Sequence, residues 1–119
     1  IKALRERGAA AKITAVGTNA SATAAMLRAG ADAAATGENS VRVACRSADI
    51  IVGPVGIVIA DSLLGEVTPD MAVAVGQARA VRILIPINRC DNIVAGVADV
   101  GMSSLIDDAV QKIAALAAK

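Results

Sequence analysis

Few side chains in this chain can do chemistry, because it contains no His, Phe, Tyr or Trp. Without imidazole there is no Ser-His-Asp triad, no His metal ligand and no His pH switch. The reactive candidates are the two cysteines, one arginine and two carboxylates. Cys45 and Cys90 are far apart and form no CxxC pair. Two thiols cannot fill a four-ligand zinc site alone, and in a reducing compartment they stay free. Both also suit small, half-buried apolar positions. Cys90 adjoins Arg89, whose charge would lower the thiol pKa and favour a nucleophilic or redox role, though no His is present to act as base. Asp61 and Glu66 lie five apart across Gly65. They can be read as a carboxylate pair for Mg²⁺ or for acid–base work, or as a helix-end cap and a solvated side chain.

A second kind of chemistry belongs to four polar, mostly glycine-bearing turns. They are Gly17-Thr18-Asn19, Thr36-Gly37-Glu38-Asn39, Gly53-Pro54-Val55-Gly56 and Asn88-Arg89-Cys90-Asp91. Three of them lead into helical patterns, where backbone N–H groups favour an anion. Glycine lets a ligand approach the backbone closely, while Thr and Asn supply hydrogen bonds. Arg89 directly follows an aliphatic run and can fork onto a phosphate or carboxylate, or pair with Asp91. Each turn alone is equally an ordinary turn or cap. Only their convergence on one edge would make a crevice. Neither GxGxxG nor GxxxxGK[ST] occurs.

These turns need elements to hold them. Ile1 and Leu4 share one face of a short helix that Gly8 ends. Strands are expected over 12–16, weakly over 31–35, and clearly over 49–53 and 82–87, with a short edge strand over 93–97. Helices are expected over 21–29 (capped by Asn19 or Ser21), 36–47 (capped by Thr36), 56–64, and from Thr68-Pro69-Asp70 to Arg79. A last helix runs to Lys119 behind a Ser104/Asp107 capping box. Alternating strands and helices imply a parallel sheet covered on both faces, and ligands bind such sheets at the carboxyl ends of the strands.

Composition bounds the rest. With 119 residues, one domain is the limit. Hydrophobic residues make up 55% of the chain and net charge is +1, which excludes a disordered chain and a phosphate-backbone binder. Absence of aromatics excludes base stacking on a nucleic acid. The longest apolar stretch, 50–60, is broken by Gly53, Pro54 and Gly56 and is too short to span a bilayer. No apolar signal region opens the sequence, so a cytoplasmic location is expected.

The ordered set Gly17-Thr18-Asn19, Ala29-Gly30-Ala31, Thr36-Gly37-Glu38-Asn39, Gly53-Pro54-Val55-Gly56, Leu64-Gly65-Glu66-Val67-Thr68-Pro69 and Pro86-Ile87-Asn88-Arg89-Cys90 resembles the bacterial family called domain of unknown function 3842. The resemblance covers nearly the whole chain. It implies a strand and a Gly-rich turn ahead of Ile1, similar to a Rossmann-like nucleotide-binding start.

The expectation is therefore a single α/β domain over 1–119, a three-layer Rossmann-like sandwich with a mostly parallel sheet, lacking its first strand. That strand would sit between the strands over 12–16 and 49–53, and its absence would lower stability or promote self-association through the gap. The expected function is binding of a nucleotide, dinucleotide or other anionic small molecule. Its site would be formed by Gly17, Thr18, Asn19, Thr36, Gly37, Glu38, Asn39, Gly53, Pro54, Gly56, Asn88, Arg89 and Cys90. The alternative is a non-enzymatic assembly or regulatory subunit, such as a homo-oligomer, acting through Ala-rich helix faces; neither nucleic acid nor membrane is expected as a partner.

Overall fold

The computed structural model describes residues 1–87, 92–97 and 100–118. Its elements alternate as expected of βα units. They are α1 (Lys2–Glu6), β1 (Thr14–Gly17), α2 (Ala20–Arg28), β2 (Ala33–Thr36), α3 (Glu38–Cys45), β3 (Ile50–Pro54), a 3₁₀ turn (Val55–Val58), α4 (Pro69–Gln77), β4 (Val81–Ile85) and α5 (Met102–Ala117). All strand pairing is parallel. β1 pairs with β2 from Thr14 opposite Ala33 to Gly17 opposite Thr36. β3 pairs with β4 from Ile50 opposite Val81 to Pro54 opposite Ile85. The single sheet expected from the sequence is instead two two-stranded sheets, with no ladder between β1 and β3 among the described residues.

Two apolar clusters hold the chain. Val67, Met71 and Ala72 pack with Val41 and Leu63, joining α3 to α4. Ile83, Ala109 and Ile113 pack with Leu4, Ile50, Ile85 and Leu116, joining α1 and α5 to the β3–β4 pair. Where aliphatic side chains are scarce, polar bonds take over. Arg5 donates from Nε to the Gly30 carbonyl at 2.9 Å and from Nη2 to Asp32 at 2.8 Å. The same Asp32 oxygen accepts the Ile13 N–H at 2.7 Å, which docks the start of β1 onto the start of β2.

Several local expectations need correction. The stretch 56–64 is not a helix: after the 3₁₀ turn it becomes turns in which Asp61, Leu63 and Leu64 all take positive φ. Left-handed backbone at three non-glycine residues cannot propagate an α-helix. Residues 93–97 form no strand, and Ile93 is exposed. Gly101 caps α5, so Ser104 lies inside the helix and its N–H is satisfied by the Gly101 carbonyl rather than by a capping box. No helix among the described residues is long and apolar enough to cross a membrane.

Candidate functional site

Polar bonds tie the turns that leave β1 and β2 to the segment ahead of α4. Asn19 caps α2 by accepting the Ala22 N–H at 2.8 Å, and its amide donates to Glu66 Oε1 at 3.0 Å. Glu66 sits in the turn before α4, so this bond joins the exit of β1 to the segment after β3. Thr68 caps α4 by accepting the Met71 N–H, while its hydroxyl donates to Glu38 at the start of α3. That second bond joins the exit of β2 to the same segment. Arg42, one turn further along α3, reaches Asp70 at 2.6 Å and Glu38 at 3.5 Å.

The remaining expected residues divide. The Gly37 N–H donates to the Gly17 carbonyl at 3.0 Å, holding the first two turns together. Gly17 has a steric role as well, since a Cβ there would lie 2.2 Å from Thr23 Oγ1. Thr36 does not cap α3. The cap is Gly37, at φ 102°, and the Thr36 hydroxyl instead meets that of Thr23 at 2.8 Å. Thr18 is half-buried beside Asn19, and the exposed Asn39 follows Glu38 in the first turn of α3. Gly53 and Pro54 end β3. Gly56 is buried, and its carbonyl accepts from the Ser62 hydroxyl and the Ile59 N–H, which makes it a turn residue. Asn88, Arg89 and Cys90 lie outside the described residues.

Sequence reasoning missed the closing side of this belt. Glu66 finds its partner in Asn19, 47 residues away. Neither the Thr68–Glu38 bond nor the Arg42–Asp70 pair is marked in the sequence. A single sequence gives no clue to such long-range polar pairs. The belt holds three carboxylates: Glu38 and Asp70, which pair with the Arg42 guanidinium, and Glu66, which pairs with Asn19. Such a set accepts hydrogen bonds from ligand hydroxyls. Backbone donors come from α3, the one of the three helix starts in the belt without a side-chain cap bond. No cluster of His, Cys, Asp and Glu suited to a metal ion occurs among the described residues.

Two other features lie apart from the belt. Cys45, at the end of α3, is a half-buried free thiol whose burial pushes its pKa up, the opposite of an activated nucleophile. An open, mainly apolar cleft of about 530 Å³ runs between β4 and α5, lined by Ile83, Ile85, Leu105 and Lys112 among others. Among the described residues, none of the expected site residues borders it.

Parallel βα units whose exits share a polar belt define a mixed α/β protein of the small-domain kind. The chain belongs to the family described as domain of unknown function (DUF3842), whose model matches residues 1–118. No curated protein and no solved structure matches it.

Proposed function

We propose that this chain is a Rossmann-like small-ligand domain that binds a nucleotide or related polar molecule at the carboxyl ends of its strands. One observation carries the reading: the turns after β1 and β2 are cross-linked to the segment just ahead of α4 through Asn19–Glu66 and Glu38–Thr68. Open α/β folds bind ligands where strand exits gather. Ligand hydroxyls, such as those of a ribose, suit the Glu38 and Glu66 carboxylates. An anionic group suits the backbone N–H groups at the start of α3. Thermal-shift screening of nucleosides, nucleotides, dinucleotides and phosphosugars tests it. A ligand present at about a hundred times its Kd should stabilise the fold by roughly 2.7 kcal/mol. Glu66→Gln should shrink the shift given by hydroxyl-bearing ligands. A flat response across the panel overturns the reading.

A second reading, an assembly or regulatory subunit, is favoured by apolar side chains exposed on four helices: Leu27, Val43, Val73 and Met102. Sedimentation at rising concentration tests it, and a monomer throughout, with no partner recovered by pull-down, overturns it.

A further inference from the structure

We infer that α5 is a self-association surface, through which two copies of this chain pair with their α5 helices antiparallel about a two-fold axis. The inference rests on the assembly reading, for which it names the surface and the partner, and it does not depend on what the belt binds.

α5 is buried on one side only. Ala109, Val110 and Ile113 enter the core, with Leu116 packed beside them. The cleft next to β4 opens along a different side of the helix, marked by Leu105, Asp108, Lys112 and Ala115. These four recur at steps of three, four and three, the spacing at which one helix lays a straight seam against another. Asp108, Lys112 and Ala115 are exposed and Leu105 is half-buried, so the seam is open to solvent.

The seam is complementary to itself. When a second α5 is laid antiparallel about the level of Val110, Asp108 meets the partner's Lys112 and Lys112 meets the partner's Asp108. In the same register Leu105 meets the partner's Ala115, and Ala115 the partner's Leu105. An acid faces a base at both central positions, and a large apolar side chain faces a small one at both ends. Lys112 already bonds Asp108 within one chain, so the two-fold closes a square of four charges with alternating sign. Such a contact is isologous and stops at two copies. A partner presenting a single sign of charge would set a like charge against Asp108 or against Lys112.

An added strand suits this cleft less well. The Val81 N–H bonds the Asp49 carbonyl, on the β3 side. By alternation Arg82, Leu84 and Pro86 turn their backbone away from β3. Pro86 has no N–H and Arg82 is charged, and both features guard a sheet edge against further pairing. Ile83 and Ile85, which line the cleft, are left to side chains of a neighbouring helix. The face is large enough for a weak dimer. The 16 residues of α5 make about 24 Å of helix, and helix plus cleft span about two helix diameters, roughly 20 Å. That is on the order of 500 Å² a side and 1,000 Å² in all, the lower limit for a specific interface, so a micromolar dimer is expected.

Sedimentation equilibrium of the chain and its charge reversals tests this. The native chain should dimerise. Lys112→Asp alone and Asp108→Lys alone each set like charges face to face on both sides of the axis, and each should weaken the dimer roughly tenfold or more. A mixture of the two variants should restore a dimer holding one of each, because every acid again faces a base. The double variant Asp108→Lys/Lys112→Asp should pair with itself for the same reason. Both positions are exposed, so the variants should keep the fold, which circular dichroism checks. A native chain that stays monomeric overturns the inference, as do single variants that associate like the native chain or a mixture that fails to pair. A dimer indifferent to every reversal overturns this surface and leaves the assembly reading with another face.

Discussion

The β3–β4 half and the β1–β2 half use the same parallel pairing and are held by different physics. β3 and β4, Ile-Ile-Val-Gly-Pro and Val-Arg-Ile-Leu-Ile, insert their aliphatic side chains into a cluster with Ala109 and Ile113 of α5 and Leu4 of α1. β1 and β2, Thr-Ala-Val-Gly and Ala-Ala-Ala-Thr, have little to bury. They are aligned by directed bonds: Asp32 to Ile13 and Arg5 at their start, and Thr23 to Thr36 at their end. Burial scales with apolar area and tolerates movement, whereas a hydrogen bond fixes atoms. The half that gains less from burial is thus the better place to position polar groups, and it carries Asn19, Thr36 and Glu38.

The largest effect should come from the apolar half. Ile83 is buried in the α5 cluster. Ile83→Ala should cost about 2–5 kcal/mol in urea unfolding. A loss under about 1 kcal/mol, below what removing a buried side chain normally costs, would mean that this cluster does not hold the half together. In the other half the sharpest steric test is Gly17→Ala. The added methyl would meet the Thr23 backbone nitrogen at 2.8 Å as well as its hydroxyl, so α2 must shift, at about 1–3 kcal/mol. Gly76→Ala is the control of opposite sign. A Cβ there meets nothing within 4 Å in α4, and it should stabilise by about 0.5–1 kcal/mol.

The same contrast explains what could be read from sequence. β3 and β4 were legible because continuous Ile and Val runs have few alternatives. α4 was legible because Thr68-Pro69-Asp70 combines a cap, a first-turn proline and an acid, and the structure keeps all three. β2 was weakly legible, since alanine favours helix and only the Asp32 bonds and the pairing with β1 override it. The segment 56–64 misled because Ile57, Val58 and Ile59 carry no mark of the left-handed turns that follow. At the belt, the caps were readable locally, but the partners that turn them into a site are tens of residues away.

The capping threonine and asparagine compare the halves at matched chemistry. Thr68→Ala and Asn19→Ala should each cost about 0.5–2 kcal/mol by removing an N-cap. Each also releases a carboxylate of the belt, Glu38 or Glu66. If the belt is one unit, the double variant should cost measurably less than the sum of the singles. Simple additivity would separate the two caps and break the idea of a joined rim.

The smallest and most specific effect is expected at Asp32, because solvent screens an exposed ion pair. The Ile13 N–H, then the Arg5 guanidinium, hold its carboxyl below the usual carboxylate range. A depressed pKa means that the fold favours the ionised form, so this stabilisation is complete above the ordinary Asp value and is lost as pH falls through the folded one. Asp32→Asn keeps an oxygen that can accept from Ile13 and removes the charge facing Arg5. The variant should therefore be less stable than the native chain by a constant margin from about pH 8 to 5, and the margin should close below about pH 4. High salt should narrow it at neutral pH. A margin independent of both pH and salt would mean that the β1–β2 half is aligned by the shape of the side chain, with no share from its charge.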